Sequence, residues 1–311
     1  MERWIGRFAA LLGGMCQIFG CGLDLRPATR PVSEQVTLRA ESSLTLAAHD
    51  ARTGITWVSG TAAAGGPVAF GVVGFSVTGD AEPPLDGAPT AAFGPWLGGS
   101  GVLFRLPSGP RVELASCDRV EDLFAEGGGA GWAVCPSGVV HWTESGIDRR
   151  FDAEGLEAVA VSEAGSVVVA GASGIHSLDP DSIELERLSA EAAVDAARWT
   201  FGRVLVLTAR STLVEVGPDG LHRWDPELSE PAFAVVVDDR GGVWLAGALG
   251  AVRVLPRPAE SVEPFVDTNV RDIAAGGTHL TLVGARIAGA GSTLTRTDLP
   301  LVFADGPVSS R

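Results

Sequence analysis

Acidic residues recur at corresponding places along the chain, where predicted β-strands begin. Together with one neighbouring arginine they are Asp122, Glu157, Asp195, Arg271 and Asp272. If such strands surround a channel, these side chains ring its mouth, where carboxylates could hold a cation or a basic group of a peptide. The alternative is that they are solvated polar residues lining a wet pore, and Arg271 beside Asp272 suits an ion pair equally well.

Two cysteines, Cys117 and Cys135, lie in the body of the chain. If the protein is exported, an even number of cysteines in an oxidising compartment favours a disulfide, which would stabilise the fold by about 3 kcal/mol. The alternative is a pair of small buried apolar side chains. A metal site is not expected, because the spacing is not that of a zinc pair and no histidine lies between them.

The histidines are scattered and show no catalytic grouping. They are His49, His141, His176, His222 and His279. A channel-centred lyase would need a pair of histidines with a nearby glutamate and a metal, and the sequence shows no such cluster. We therefore expect no enzymatic activity and no cofactor.

An internal repeat of about 37 residues extends through most of the chain. Each unit contains a β-branched strand, a polar glycine turn and a second strand that often begins with tryptophan, as in Trp57–Gly60 and Trp244–Gly247. A third strand and a more polar fourth strand follow. Seven such units account for residues 41–311.

This spacing predicts an all-β fold, a seven-bladed β-propeller of four-stranded blades preceded by a signal segment and a short tether. One four-stranded sheet cannot bury both of its faces alone, whereas radial stacking buries each sheet against the next. The recurring tryptophans would fill the space between neighbouring blades. A short strand at Gln35–Ala40 could close the ring by pairing with the last blade.

The segment Asp239–Gly250 resembles the two-component-regulator propeller repeat, whose pattern is Asp…Gly…Trp-aliphatic-Gly…Gly, and Pro95–Phe104 matches it in part. The resemblance covers most blades and is degenerate in the fifth and seventh. It implies the propeller fold and, in the family context, a periplasmic sensor module. The layout of an anchored propeller is also similar to that of outer-membrane assembly lipoproteins, although none of their specific motifs is present.

The first 21 residues have the layout of a bacterial signal peptide, with Arg3 and Arg7 before a short apolar run. The run ends in Ile18-Phe19-Gly20-Cys21, which resembles a lipobox and implies a lipidated Cys21, although Phe19 stands where a small residue is usual. Ordinary secretion or a packed N-terminal helix are the alternatives. The predicted domains are a signal peptide at 1–21, a tether at 22–40 and a propeller at 41–311.

The formal net charge of −15 argues against a nucleic-acid partner, since phosphate binding requires clustered positive charge. We expect a monomeric, non-enzymatic propeller at the cell envelope. It would be an outer-membrane lipoprotein, attached to the membrane through its lipid anchor only, that recognises a protein or peptide partner. The alternative is a channel-centred small-ligand sensor or a metal-dependent, lyase-like enzyme.

Overall fold

In a computed structural model, the described part of the chain folds into seven antiparallel four-stranded sheets. This confirms the predicted seven-bladed propeller. The structure describes residues 33–35, 42–127, 129–181, 184–200, 202–255, 260–262, 268–277, 279–286 and 292–298. None of the described residues forms a helix long and apolar enough to span a membrane. The predicted signal peptide, including Cys21, lies outside these residues, so its assignment stays a prediction.

The first three blades follow one another without a break in strand order. Strand β1 (Ser33–Gln35) precedes them in the chain. Blade 1 contains β2 (Ser42–Asp50), β3 (Ile55–Ala62), β4 (Pro67–Val73) and β5 (Ser76–Ala81). Blade 2 contains β6 (Ala91–Phe93), β7 (Trp96–Gly98), β8 (Val102–Arg105) and β9 (Arg111–Glu113). Blade 3 contains β10 (Asp122–Glu126), β11 (Ala130–Cys135), β12 (Gly138–Thr143) and β13 (Gly146–Asp152).

The remaining blades repeat the same order. Blade 4 contains β14 (Ala158–Val161), β15 (Val167–Gly171), β16 (Gly174–Asp179) and β17 (Glu184–Ser189). Blade 5 contains β18 (Ala193–Arg198), β19 (Val204–Thr208), β20 (Leu213–Gly217) and β21 (Gly220–Trp224). Blade 6 contains β22 (Ala232–Val237), β23 (Val243–Gly247), β24 (Gly250–Leu255) and β25 (Glu260–Val262). Blade 7 contains β26 (Thr268–Gly276), β27 (His279–Arg286) and β28 (Ser292–Asp298).

The N-terminal strand completes blade 7 and closes the ring. Strand β1 pairs antiparallel with β28, with Ser33 opposite Thr297 and Gln35 opposite Thr295. The predicted closing strand at Gln35–Ala40 therefore shares only Gln35 with the observed one, and residues 36–40 lie outside the described part of the chain. The closing strand comes from the start of the chain and the other three strands of blade 7 from its end, so the first and last segments hold each other in place.

Seven apolar clusters lie between successive blades, one at each interface. The cluster between blades 3 and 4, for example, joins Trp132 and Phe151 to Val159 and Val169. The second-strand tryptophans of blades 1, 2, 3 and 6 each enter the cluster shared with the following blade. Inner strands are consequently buried on both faces, as in β15, whereas the outermost strand β21 is exposed along its whole length.

A disulfide joins Cys117 to Cys135, with their Cα atoms 5.4 Å apart. Cys117 lies in the crossing from blade 2 to blade 3, and Cys135 ends β11. Both side chains belong to the cluster between these two blades. The bond therefore fixes the crossing segment to the blade that it enters.

The ring has two different faces because the strands of each blade alternate in direction. We call one the crossing face: it carries the crossings between blades and the turns between second and third strands. We call the other the hairpin face: it carries the turns between first and second strands and between third and fourth strands. Every first strand begins at the crossing face and runs along the central channel to the hairpin face.

Candidate functional site

The central channel is a cavity of about 680 Å³, lined by residues from the first strands of all seven blades. Most lining residues are apolar, and alanine and valine are the commonest among them. The five residues predicted to ring the channel mouth all line this cavity. They are Asp122, Glu157, Asp195, Arg271 and Asp272.

Three of these residues, Asp122, Asp195 and Asp272, connect neighbouring blades through hydrogen bonds. The backbone N–H of Val159 in blade 4 donates to Asp122 Oδ2 over 2.8 Å. The N–H of Val235 in blade 6 donates to Asp195 Oδ2 over 2.7 Å, and that of Ala47 in blade 1 donates to Asp272 Oδ2, also over 2.7 Å. Each aspartate thus accepts an N–H from the first strand of the next blade, an interaction that we call the aspartate clamp.

The three clamps occupy the same ladder position in alternate blades. This position pairs with the second-strand residue two places after the position of the recurring tryptophan, as Asp122 pairs with Val134 in blade 3. Its residues in blades 1 to 7 are Leu46, Ala91, Asp122, Ala158, Asp195, Ala234 and Asp272. In each clamp the donor directly follows the apolar residue at that position of the next blade. The clamps connect blade 3 to blade 4, blade 5 to blade 6 and blade 7 to blade 1. Because the number of blades is odd, one blade, blade 2, takes part in no clamp.

Burial of the carboxyl groups raises the pKa of all three clamp aspartates. The pKa of Asp122 and that of Asp272 both rise to about 7, because burial outweighs the stabilising backbone hydrogen bonds. The pKa of Asp195 lies well above its usual value, through burial first and then through the charges of Asp122 and Asp272. The charge of Asp122 thus acts on both Asp195 and Asp272 across the channel, and that of Asp272 acts on Asp195.

The crossing-face mouth is more exposed than the clamps beneath it. Glu157 and Arg271 are both exposed there and line the opening. Glu121 lies beside them, and its carboxylate pairs with Arg119 at 2.9 Å. Among the described residues neither Glu157 nor Arg271 forms an ion pair, so the opening presents one unpaired carboxylate and one unpaired guanidinium above the clamps.

The hairpin-face mouth contains an arginine packed on aromatic rings, a group that was not predicted from the sequence. Arg198 ends β18, and its Nε donates to the carbonyl oxygen of Val161 in blade 4 over 2.6 Å. Its guanidinium lies over the ring of Phe124 in blade 3, 4.7 Å from the centroid. The Phe124 ring in turn packs against Phe93 in blade 2, with centroids 4.5 Å apart. We call Arg198, Phe124 and Phe93 the hairpin-mouth cluster.

His49 also lines the cavity, close to the hairpin face. Its Nδ1 lies 3.1 Å from Thr56 Oγ1, and burial lowers the pKa of its imidazole. Its ring packs directly on Gly276, where a Cβ would meet the imidazole carbons. The other four histidines do not line the cavity, and among the described residues no group of three histidine, cysteine or acidic side chains is placed to hold a metal ion.

One sequence signal could have located the hairpin-mouth cluster. The first strand of blade 5 reads Ala-Val-Asp-Ala-Ala-Arg, and its last residue is a long cation among small side chains. The inner strands of blades 2, 4 and 6 end instead in the apolar residues Phe93, Val161 and Val237. A lone arginine at the end of an inner strand could therefore have been predicted to lie at that mouth. Its contacts could not, because they depend on the direction of the side chain.

No protein-family model matches the sequence, and no curated protein matches it. Solved structures do. The chain is similar to the extracellular domain of a protein assigned as a one-component system of B. thetaiotaomicron, with a TM-score of 0.62 and 10% identity. The match covers 89% of this chain and 43% of that one, so this chain spans less than half of its length.

A second similar structure is that of YCF48 bound to D1 peptide. Its TM-score is 0.61 at 16% identity, and the match covers 91% of this chain and 98% of that one. At these identities the likeness shows the fold alone.

Proposed function

We propose that this chain is a non-enzymatic binding propeller that recognises a protein or peptide partner across its crossing face. The observation that carries the proposal is the charged mouth there, with Glu157 and Arg271 exposed and unpaired above the three clamp aspartates. Unpaired charges on a rigid frame favour a partner that brings the opposite charges, with a basic group facing Glu157.

The clamps support a binding role rather than a reactive one. Each carboxylate already accepts a backbone N–H from the next blade, which holds it in position and connects the ring. Such fixed acceptors favour recognition, because little further ordering is needed when a partner binds. The solved complex of YCF48 with a peptide lends support from a chain of the same fold.

We further propose that the protein is a monomer exported to the cell envelope and held at the outer membrane through a lipid on Cys21. The signal-like N-terminal sequence and the disulfide between Cys117 and Cys135 support export, since disulfides persist in oxidising compartments. The extracellular domain with the same fold agrees with this location. The resemblance to two-component-regulator repeats supports a sensory or scaffolding context.

Charge reversal at the crossing-face mouth tests the binding proposal. The full-length chain with Glu157→Arg would be compared with Glu184→Arg, a control on the outer strand of the same blade. We expect wild type and the control to capture the same partner from solubilised envelopes, more strongly at low salt, and Glu157→Arg to lose it. Equal capture by Glu157→Arg, or no capture by wild type, would contradict the proposal.

The alternative is a small-ligand sensor or a metal-dependent, lyase-like enzyme. The cavity of about 680 Å³ is of a size that small molecules occupy, and His49 on its wall is the one histidine placed to act there. Under this alternative His49→Ala would abolish the activity or ligand response, whereas under the binding proposal it leaves partner capture unchanged.

A further inference from the structure

The hairpin-mouth cluster contains a cation that is positioned but not neutralised. Within the described part of the chain, no carboxylate oxygen lies within 4.0 Å of the Arg198 guanidinium, and only its Nε has a hydrogen-bond acceptor. Burial lowers the pKa of this group from its usual value, although arginine stays charged. The side chain is exposed at the mouth, so an anion can reach this cation without first displacing a counter-ion.

The arginine is also held in place before any ligand arrives. Its Nε is fixed by the Val161 carbonyl and its plane by the Phe124 ring, so two other blades restrict its rotamers. The two Nη nitrogens remain available, and their parallel N–H groups match the two oxygens of a carboxylate. Little side-chain entropy is then lost on binding.

An apolar surface lies next to this cation. Phe93 is 37% exposed and packs against Phe124, which lies beneath the guanidinium. A ligand whose carboxylate meets Arg198 can therefore place an aromatic or aliphatic group on Phe93. The cavity behind the cluster has room for the rest of such a molecule.

We propose that the hairpin-mouth cluster is a binding site for carboxylates that carry an apolar group, with Arg198 holding the carboxylate and Phe93 contacting the apolar part. The site lies at the opposite mouth from the proposed partner surface and does not depend on it. The carboxylate could belong to a free organic acid or to the C-terminus of a polypeptide.

Nearby acids set the selectivity of this site. Glu163 and Glu126 are the charges that act on Arg198. Glu126 is engaged elsewhere, because its Oε1 accepts a hydrogen bond from Trp132 Nε1 over 2.8 Å. Glu163 is exposed at the end of the neighbouring blade's inner strand, where its charge opposes the approach of an anion. Removing that charge should strengthen carboxylate binding.

Calorimetric titration of the full chain tests the proposal, with 3-phenylpropionate as probe and its neutral amide as comparison. We expect saturable binding of the acid and at least about tenfold weaker binding of the amide. Arg198→Gln should weaken binding of the acid about tenfold or more. Arg52→Gln, a control at an exposed arginine of the same face that does not line the cavity, should leave it unchanged.

Glu163→Gln supplies a second readout that does not depend on how Arg198→Gln folds. It should strengthen binding of 3-phenylpropionate by about two- to fivefold at low salt. A comparison of this probe with N-acetyl-Gly-Phe identifies the source of the carboxylate. Tighter binding of 3-phenylpropionate indicates a free organic acid, and tighter binding of N-acetyl-Gly-Phe indicates a polypeptide C-terminus. Equal binding of acid and amide, unchanged or weaker binding in Glu163→Gln, or no saturable binding by wild type would overturn the proposal.

Discussion

At the scale of single residues, the clamp aspartates serve the ring and its channel at once. A carboxylate that accepts N–H groups from the strand edge satisfies donors that would otherwise face the channel. The same placement buries the carboxyl group, so its charged form is disfavoured. Connecting the blades in this way therefore makes the stability of the protein depend on pH.

Replacing one clamp aspartate by asparagine should remove part of that pH dependence. The pKa of Asp122 is raised to about 7 in the folded protein, so folded chains hold the proton more tightly than unfolded ones. The free energy of unfolding then falls as pH rises from about 4 to about 7. Because the asparagine oxygen still accepts the Val159 N–H, we expect Asp122→Asn to be more stable than wild type at pH 8. The gain should be about 1–2 kcal/mol, allowing for solvent screening, and it should shrink towards pH 4.

Denaturant unfolding at a series of pH values measures this difference. Asp118→Asn, at an exposed aspartate in the crossing before blade 3, is the matched control and should show no pH-dependent gain. If Asp122→Asn were less stable than wild type at pH 8, the clamp would depend on the charge of its carboxylate and this account would be wrong.

The sequence indicated where these aspartates lie but not what they do. Their recurrence at the starts of predicted first strands was sufficient to place all five predicted residues around one cavity. Their hydrogen bonds reach the next blade, and the distance between blades depends on packing that no single strand determines. For the same reason the contacts of Arg198 with two other blades could not be read from its own strand.

At the scale of elements, the second strands were the best predicted because their signal is chemical as well as periodic. Tryptophan at the start of the strand marks the residue that packs against the following blade, as Trp96 packs against Trp142 with centroids 4.6 Å apart. The closing strand was placed less well. Ser33–Gln35 carries no apolar pattern, so its pairing with β28 depends on the ring and not on its own residues.

Reducing the disulfide should destabilise the interface between blades 2 and 3. The bond closes a loop with a sequence separation of 18, and opening such a loop costs about 3 kcal/mol through the entropy of the unfolded chain. We expect the free energy of unfolding in reductant to be lower by that amount, with the unfolding midpoint at a lower denaturant concentration. The measurement is a pair of unfolding curves with and without reductant, with thiol titration as the control that reduction is complete.

A fully reduced protein with an unchanged unfolding curve would show that the buried cysteines stabilise this interface through packing alone. Both are almost completely buried, with 2% exposure for Cys117 and 1% for Cys135, so packing is the competing explanation.

At the scale of the whole molecule, the ring is a closed frame whose two mouths present different side chains. The crossing-face mouth presents Glu157 and Arg271 above the clamp aspartates, and the hairpin-face mouth presents Arg198 beside the exposed ring of Phe93. The ring is closed by the pairing of β1 with β28, so a single chain presents both mouths. Such a molecule suits recognition.

Replacing Cys21 should release the protein from the membrane. If the lipobox-like sequence is processed, wild type will fractionate with membranes, and its mature N-terminus will carry the mass of a lipid on Cys21. Cys21→Ala should appear in the soluble fraction, while Cys16→Ala, the matched control within the same apolar run, should behave as wild type. Membrane association of Cys21→Ala equal to that of wild type would refute the lipid anchor.

Site-specific photo-crosslinking in living cells tests the central claim most directly. A photoreactive residue at Arg271 would report on the crossing-face mouth, and one at Leu221 on the exposed outer strand of blade 5. We predict a discrete crosslinked species from position 271 and none from position 221. A crosslink from position 221 alone, or from neither position, would contradict a partner that binds across the crossing face.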